Sequence, residues 1–127
     1  LNIAPVVMAN HNVSQAYLAA TAAGDRYAGV GLASTLMHLV DGKVPPEEAL
    51  AKPRYAPGVG AVDVLIEQSR SQKTRGELVR KGLQMIARES IGRVNLMYCD
   101  RGIVIRPANC VVRTDPRTAA YGVNSEL

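Results

Sequence analysis

A stripe of apolar residues at helical spacing, bracketed by strand pairs, sets the fold class of this chain. Val30, Ala33, Met37 and Val40 recur every three or four residues, and Leu32, Leu36 and Leu39 widen the stripe. Asp25 is placed to cap this helix and Asp41-Gly42 to stop it. Ahead of it, Pro5 to Ala9 and Val13 to Ala20 are nearly continuous apolar runs around Asn10-His11-Asn12, which predicts a β-hairpin covered on both faces. Near the other end, Val94 to Cys99 and Ile103 to Arg106 flank Asp100-Arg101-Gly102, a second hairpin signal, and Cys110 to Val112 extends that sheet. Between these lie a short helix opened by Pro45-Pro46 and ended by Pro53, a loop at Ala56 to Gly60 and a strand at Val62 to Glu67. A polar loop at Ser69 to Lys73 and a long helix at Thr74 to Ala87 follow. The order ββ-α-α-β-α-ββ(β) predicts one α+β domain over residues 1–127, with a mainly antiparallel sheet and helices packed on it.

The chain has no Trp and no Phe, so its core is expected to consist of Ala, Val, Leu, Ile and Met. The net charge of +4 comes from arginines scattered from Arg26 to Arg117. No basic cluster with stacking aromatics is present, so the charge reads as a solvated surface and not as a nucleic-acid interface. No stretch reaches the ~18 apolar residues of a membrane span. Cys99 and Cys110 have neither metal spacing nor a neighbouring His. They read as two half-buried thiols, and a bridge requires the hairpin to bring their α-carbons within about 7 Å. His11 and His38 have no Ser, Cys or Asp partner at an interpretable spacing. Neither a cofactor nor a metal site is expected. The chain opens without Met on a strand-like Leu1-Asn2-Ile3-Ala4-Pro5, and is expected to be part of something longer.

Four short segments stand in order along the chain. They are Ile3-Ala4-Pro5-Val6, Ala20-Thr21-Ala22-Ala23-Gly24-Asp25-Arg26, Lys52-Pro53-Arg54-Tyr55 and Thr114-Asp115-Pro116-Arg117. In order and spacing they resemble the C-terminal part of the small subunit of γ-glutamyltranspeptidases, members of the N-terminal-nucleophile hydrolases. The corresponding family segments read Met-Ser-Pro-Thr, Gly-Ser-Pro-Gly-Gly-Ser-Arg, Ala-Pro-Arg-Phe and Ser-Asp-Pro-Arg.

The resemblance implies a share of a four-layer αββα sandwich and of a γ-glutamyl amide hydrolase or transferase. It implies that the backbone N–H groups of Ala23 and Gly24 form an oxyanion hole at the start of the helix. Read without it, this step is a tight strand-to-helix turn that needs small residues. Leu1-Asn2 falls where the family has two serines that hold the substrate's α-carboxylate. Only Asn2 keeps a donor, as a substrate-binding residue or as a polar strand entry. Arg54, Asp115 and Arg117 read as structural, an Arg fork tying loops to carbonyls or a carboxylate. The family's nucleophile is a Thr freed at the start of the small subunit. No threonine here (Thr21, Thr35, Thr74, Thr114, Thr118) takes that place, so the isolated chain is expected to be inactive. The implied partners are the rest of its precursor and a γ-glutamyl or related amide, and the implied location is periplasmic or secreted. The competing reading is a non-catalytic structural or interaction domain that keeps the scaffold.

Overall fold

Alternation along the strands builds a sheet with one packed face and one bare face. The computed structural model describes residues 3–12, 14–67, 72–102 and 109–118. The first hairpin is β1 (Ile3–Asn10) and β2 (Gln15–Ala23), antiparallel, with a register shift between Met8 and Ala9. A single 3-10 turn (Asp25–Tyr27) leads into α1 (Ala28–Leu36), which runs on as a π-turn through Met37–Asp41. Next come α2 (Pro46–Ala51), β3 (Tyr55–Pro57), β4 (Asp63–Glu67) and α3 (Gln72–Arg80). The chain continues with β5 (Gln84–Arg88), β6 (Arg93–Cys99) and β7 (Cys110–Arg113). One sheet has the order β1-β2-β6-β7 and is antiparallel, and a smaller one has the order β3-β4-β5 with β4 and β5 parallel. The architecture is α+β, as the sequence predicts.

Leu18, Ala20, Ala22, Val94 and Leu96 point from the larger sheet onto Ala28, Leu32, Leu39, Ala49 and Leu50. The small side chains on both sides let helix and sheet approach closely, which suits a chain without Phe or Trp. On its other flank Tyr27 and Val30 meet Ala56, Leu65, Ile86 and Ile91 around the smaller sheet. The opposite face of the larger sheet stays bare: Ile3 is 59% exposed, Val7 69% and Val112 42%. The first hairpin is therefore packed on one face, not on both as the apolar runs suggested.

Three further expectations are corrected. The helix predicted to run to Ala87 stops at Arg80, because Gly82 takes φ +78° and ends it. The Gly82 N–H bonds the Val79 carbonyl (2.9 Å) and the Leu83 N–H the Leu78 carbonyl (3.1 Å), a Schellman ending, and the chain re-enters as β5. Ala56 and Pro57 belong to a short strand, with Ala56 opposite Leu65. Asp25 is not a helix cap: it lies inside the 3-10 turn at φ 51°, after Gly24. The predicted strand at Ile103 to Arg106, and Ser69 to Ser71 of the predicted loop, lie outside the described residues.

Cys99 and Cys110 form a disulfide, contrary to the reading as free thiols. The β6–β7 register sets them directly opposite, with α-carbons 4.1 Å apart. Closing a loop of this length (sequence separation 11) is worth about 3 kcal/mol in the chain-entropy account. Reduction, or Cys110→Ser, is expected to lower the urea midpoint by the corresponding amount, while the m-value tells whether the unfolded state also expands.

Candidate functional site

Two arginines and two acids from distant parts of the chain meet in the interior. Arg54 follows α2, Glu67 ends β4, and Asp115 and Arg117 follow β7. The Arg54 guanidinium is buried, with Nη2 donating to Asp115 Oδ2 (2.7 Å) and Thr35 Oγ1 (3.2 Å). Its Nη1 donates to the carbonyls of Ile91 (3.2 Å) and Gly92 (2.9 Å). Asp115 Oδ2 also accepts from the Val94 N–H (2.7 Å), and Oδ1 from the Arg117 N–H (2.9 Å). Arg117 Nε donates to Glu67 Oε1 (2.7 Å), while Nη1 and Nη2 reach the carbonyls of Leu50 (2.6 Å) and Lys52 (2.8 Å). Glu67 accepts in addition from the Ile91 N–H (2.7 Å) and the Arg54 N–H (3.1 Å). Charge balances, and each carboxylate is bonded on both oxygens, which is the condition under which buried ions are tolerated.

Burial disfavours ionisation of both acids, yet each is held below its ordinary value. For Glu67 the opposing influences are Arg117 and the Ile91 N–H. For Asp115 they are the Arg117 N–H, Arg54 and the Val94 N–H. A carboxyl whose folded pKa is depressed contributes stability that is complete above its unfolded value and lost as pH falls through the folded one. The unfolded values are near 4.5 for Glu67 and 3.8 for Asp115. Thermal midpoints are therefore expected to be flat above about pH 5 and to fall steeply below about pH 4. Glu67→Gln should reduce the steepness of that fall.

The network grips the turn between β5 and β6 from behind. Arg54 holds the carbonyls of residues 91 and 92, and Glu67 holds the N–H of Ile91. In front, this turn presses on Gly24. A β-carbon at Gly24 (φ +122°) would lie 3.0 Å from the Gly92 α-carbon, and one at Gly92 (φ +67°) would lie 2.7 Å from the Tyr27 carbonyl oxygen. Both positions need glycine for conformation and for space. Ala23 closes β2, opposite Ile3 on one side and Arg93 on the other. The Gly24 carbonyl accepts from the Tyr27 N–H (3.0 Å), which starts the turn into α1. A cleft of ≈ 420 Å³ opens here, lined by Ala23, Gly24, Asp25 and Tyr27 on one side and by Arg88, Ser90, Gly92 and Arg93 on the other.

Of the residues singled out from sequence, Ala23 and Gly24 thus line one cleft, and Arg54, Asp115 and Arg117 meet behind it. Asn2 lies outside the described residues. Glu67 was missed, since its partners lie far away in sequence. No group of three or more potential metal ligands occurs among the described residues.

No family model and no curated protein matches the sequence. Solved structures do. The γ-glutamyltranspeptidase of Pseudomonas nitroreducens matches with a TM-score of 0.80 at 15% identity, over 97% of this chain and 62% of its own. That of Helicobacter pylori matches with 0.75 at 18% identity, over 92% of this chain and 61% of its own. This chain has the γ-glutamyltranspeptidase fold. The Bacillus anthracis transpeptidase CapD shares it, with a TM-score of 0.75 at 18% identity over 98% of this chain and 72% of its own. The chain spans about three fifths of the first two γ-glutamyltranspeptidase chains.

Proposed function

We propose that this chain is the C-terminal part of a small subunit that cleaves γ-glutamyl or related amides, with a threonine nucleophile supplied by polypeptide outside it. The threonine hydroxyl attacks the amide carbon, and its own α-amine takes the proton. The carbonyl oxygen becomes an oxyanion, which the N–H groups of Ala23 and Gly24 stabilise by several kcal/mol when water is excluded. Collapse expels the amine with that proton and leaves an acyl-threonine ester. Water or a second amine then takes the acyl group. Asn2 is the proposed side-chain donor to the substrate.

The observation that carries this reading is Gly24 itself. It sits at positive φ between a strand end and a helical turn, on the wall of a cleft, in a chain with the transpeptidase fold. The reading also accounts for the bare sheet face, an apolar surface that the rest of the precursor would cover. The Cys99–Cys110 bridge fits a periplasmic or extracellular setting.

The test is mass spectrometry of the mature complete protein, together with release of anilide from a γ-glutamyl anilide. A subunit beginning with Thr and measurable turnover are expected. The 127-residue chain alone should give no turnover, and should self-associate or bind an apolar dye. Turnover by the isolated chain, or a complete protein without a Thr-initiated subunit, would defeat the proposal. In the second case a non-catalytic scaffold takes its place. That reading is favoured by the position of Ala23 in the ladder with Ile3 and Arg93.

A further inference from the structure

One short edge strand joins the disulfide to the ion cluster. Among the described residues β7 pairs with β6 alone, through the four residues Cys110–Arg113. Its first residue, Cys110, is bridged to Cys99, the last residue of β6. Just beyond its last residue the same segment delivers Asp115 and Arg117 to the interior. Between these two anchors lie the ladder and a partly exposed ion pair of Arg113 with Glu47 (3.5 Å). A short edge ladder and an exposed ion pair are each marginal holds.

The cluster end is held by mutual dependence. Asp115 is buried, its Oδ2 accepting from Arg54 Nη2 and the Val94 N–H, and Arg117 is the counterion of Glu67. Buried ions are tolerated together and costly apart. The segment from Cys110 to Arg117 thus has two states: docked with the cluster closed, or released with Arg54 and Glu67 left without their counterions. The bridge biases that choice. While it stands, the start of the segment cannot leave β6. Once it is cut, that end is tethered only through the chain between the two cysteines, and the released state gains the corresponding freedom.

The two sulfur positions differ in access. Cys99 is fully buried, whereas Cys110 is half-buried beside the exposed Asn109. A thiolate of a dithiol reductant attacks the Cys110 sulfur, the S–S bond breaks, and Cys99 leaves as a thiolate that takes a proton. The second thiol of the reductant, deprotonated, then displaces Cys110, which also takes a proton, and the reductant departs as a cyclic disulfide. Two electrons pass to the protein, and two thiols replace the bridge.

We propose that the Cys99–Cys110 bridge is a redox latch on the ion cluster. Its reduction releases β7 with Asp115 and Arg117, and so slackens the turn that Arg54 holds against Gly24. The effect on turnover rests on the acyl-transfer reading, whereas opening of the cluster can be measured without it.

Amide hydrogen exchange is followed on the complete protein when oxidised, reduced with dithiothreitol and reoxidised. Alkylation and mass spectrometry identify the cysteines freed. On reduction the Val94 N–H, which donates to Asp115, is expected to exchange about tenfold faster, and to recover on reoxidation. Amides of the β3-β4-β5 ladder are the reference and should keep their rates. The double variant Cys99→Ser, Cys110→Ser should show the faster Val94 exchange with or without dithiothreitol. In turnover, kcat should fall several-fold on reduction with KM little changed, and dithiothreitol should have no such effect on the double variant. Equal acceleration of every ladder would reduce the bridge to a global staple and overturn the proposal. So would an unchanged Val94 rate in protein shown to carry both free thiols. Faster Val94 exchange in a complete protein without turnover sustains the latch and defeats only the catalytic reading.

Discussion

Arg54→Met is expected to lower the unfolding free energy by about 3–5 kcal/mol, the largest effect of any single substitution described here. The side chain is buried, and its loss strands Asp115, whose Oδ2 would keep only the Val94 N–H. It also releases the carbonyls of Ile91 and Gly92 and the hydroxyl of Thr35. Lysine should not rescue it, because one ammonium cannot span acceptors on both sides of a planar fork. The measurement is urea unfolding of Arg54→Met, Asp115→Asn and the double variant. Strong coupling is expected, with the double variant much less destabilised than the sum of the two singles. Additivity would mean that the pair acts independently and that the arrangement is wrong.

Gly92→Ala is expected to cost about 3 kcal/mol, part from the left-handed backbone and part from a methyl driven into the Tyr27 carbonyl. Gly82 provides the internal control. It too has positive φ (+78°), but a β-carbon there meets nothing within 4 Å. Gly82→Ala should therefore lose only the conformational share, about 1 kcal/mol. Similar losses at the two sites would show that contact with the Gly24 turn is not what makes Gly92 special. If the cleft is catalytic in the complete protein, Gly92→Ala should also depress kcat more than KM, since it moves the backbone that backs Gly24.

Local patterns in the sequence made the first hairpin, α1 and α2 legible, because each rests on interactions within a few residues. Lys52-Pro53-Arg54 and Thr114-Asp115-Pro116-Arg117 stood out as segments, and a structural role for their arginines could be read from the residue type. Their mutual contact could not, because Arg54 and Asp115 lie 61 positions apart. Glu67 ends a strand of ordinary appearance, and only the fold reveals that it neutralises Arg117. The stretch from Thr74 to Ala87 misled because Leu83, Met85 and Ile86 extend an apolar pattern that ignores the stop at Gly82. The cysteine pairing depended on the β6–β7 register, which spacing alone does not determine. Ala23 and Gly24 were singled out through resemblance and line a cleft, whereas the arginines opposite them carry no local signature.

The last link of the ion cluster is made by residues close to the end of the described chain. During synthesis Arg54 is added to the chain roughly 3–12 s before Asp115 at ordinary elongation rates, and Glu67 likewise precedes both Asp115 and Arg117. Until then the nascent chain holds an arginine and a glutamate that cannot be enclosed without their counterions, so the interior must stay hydrated. Closure is thus timed by translation, and a ribosome stalled before residue 115 would present an open intermediate for chaperones or proteases to capture.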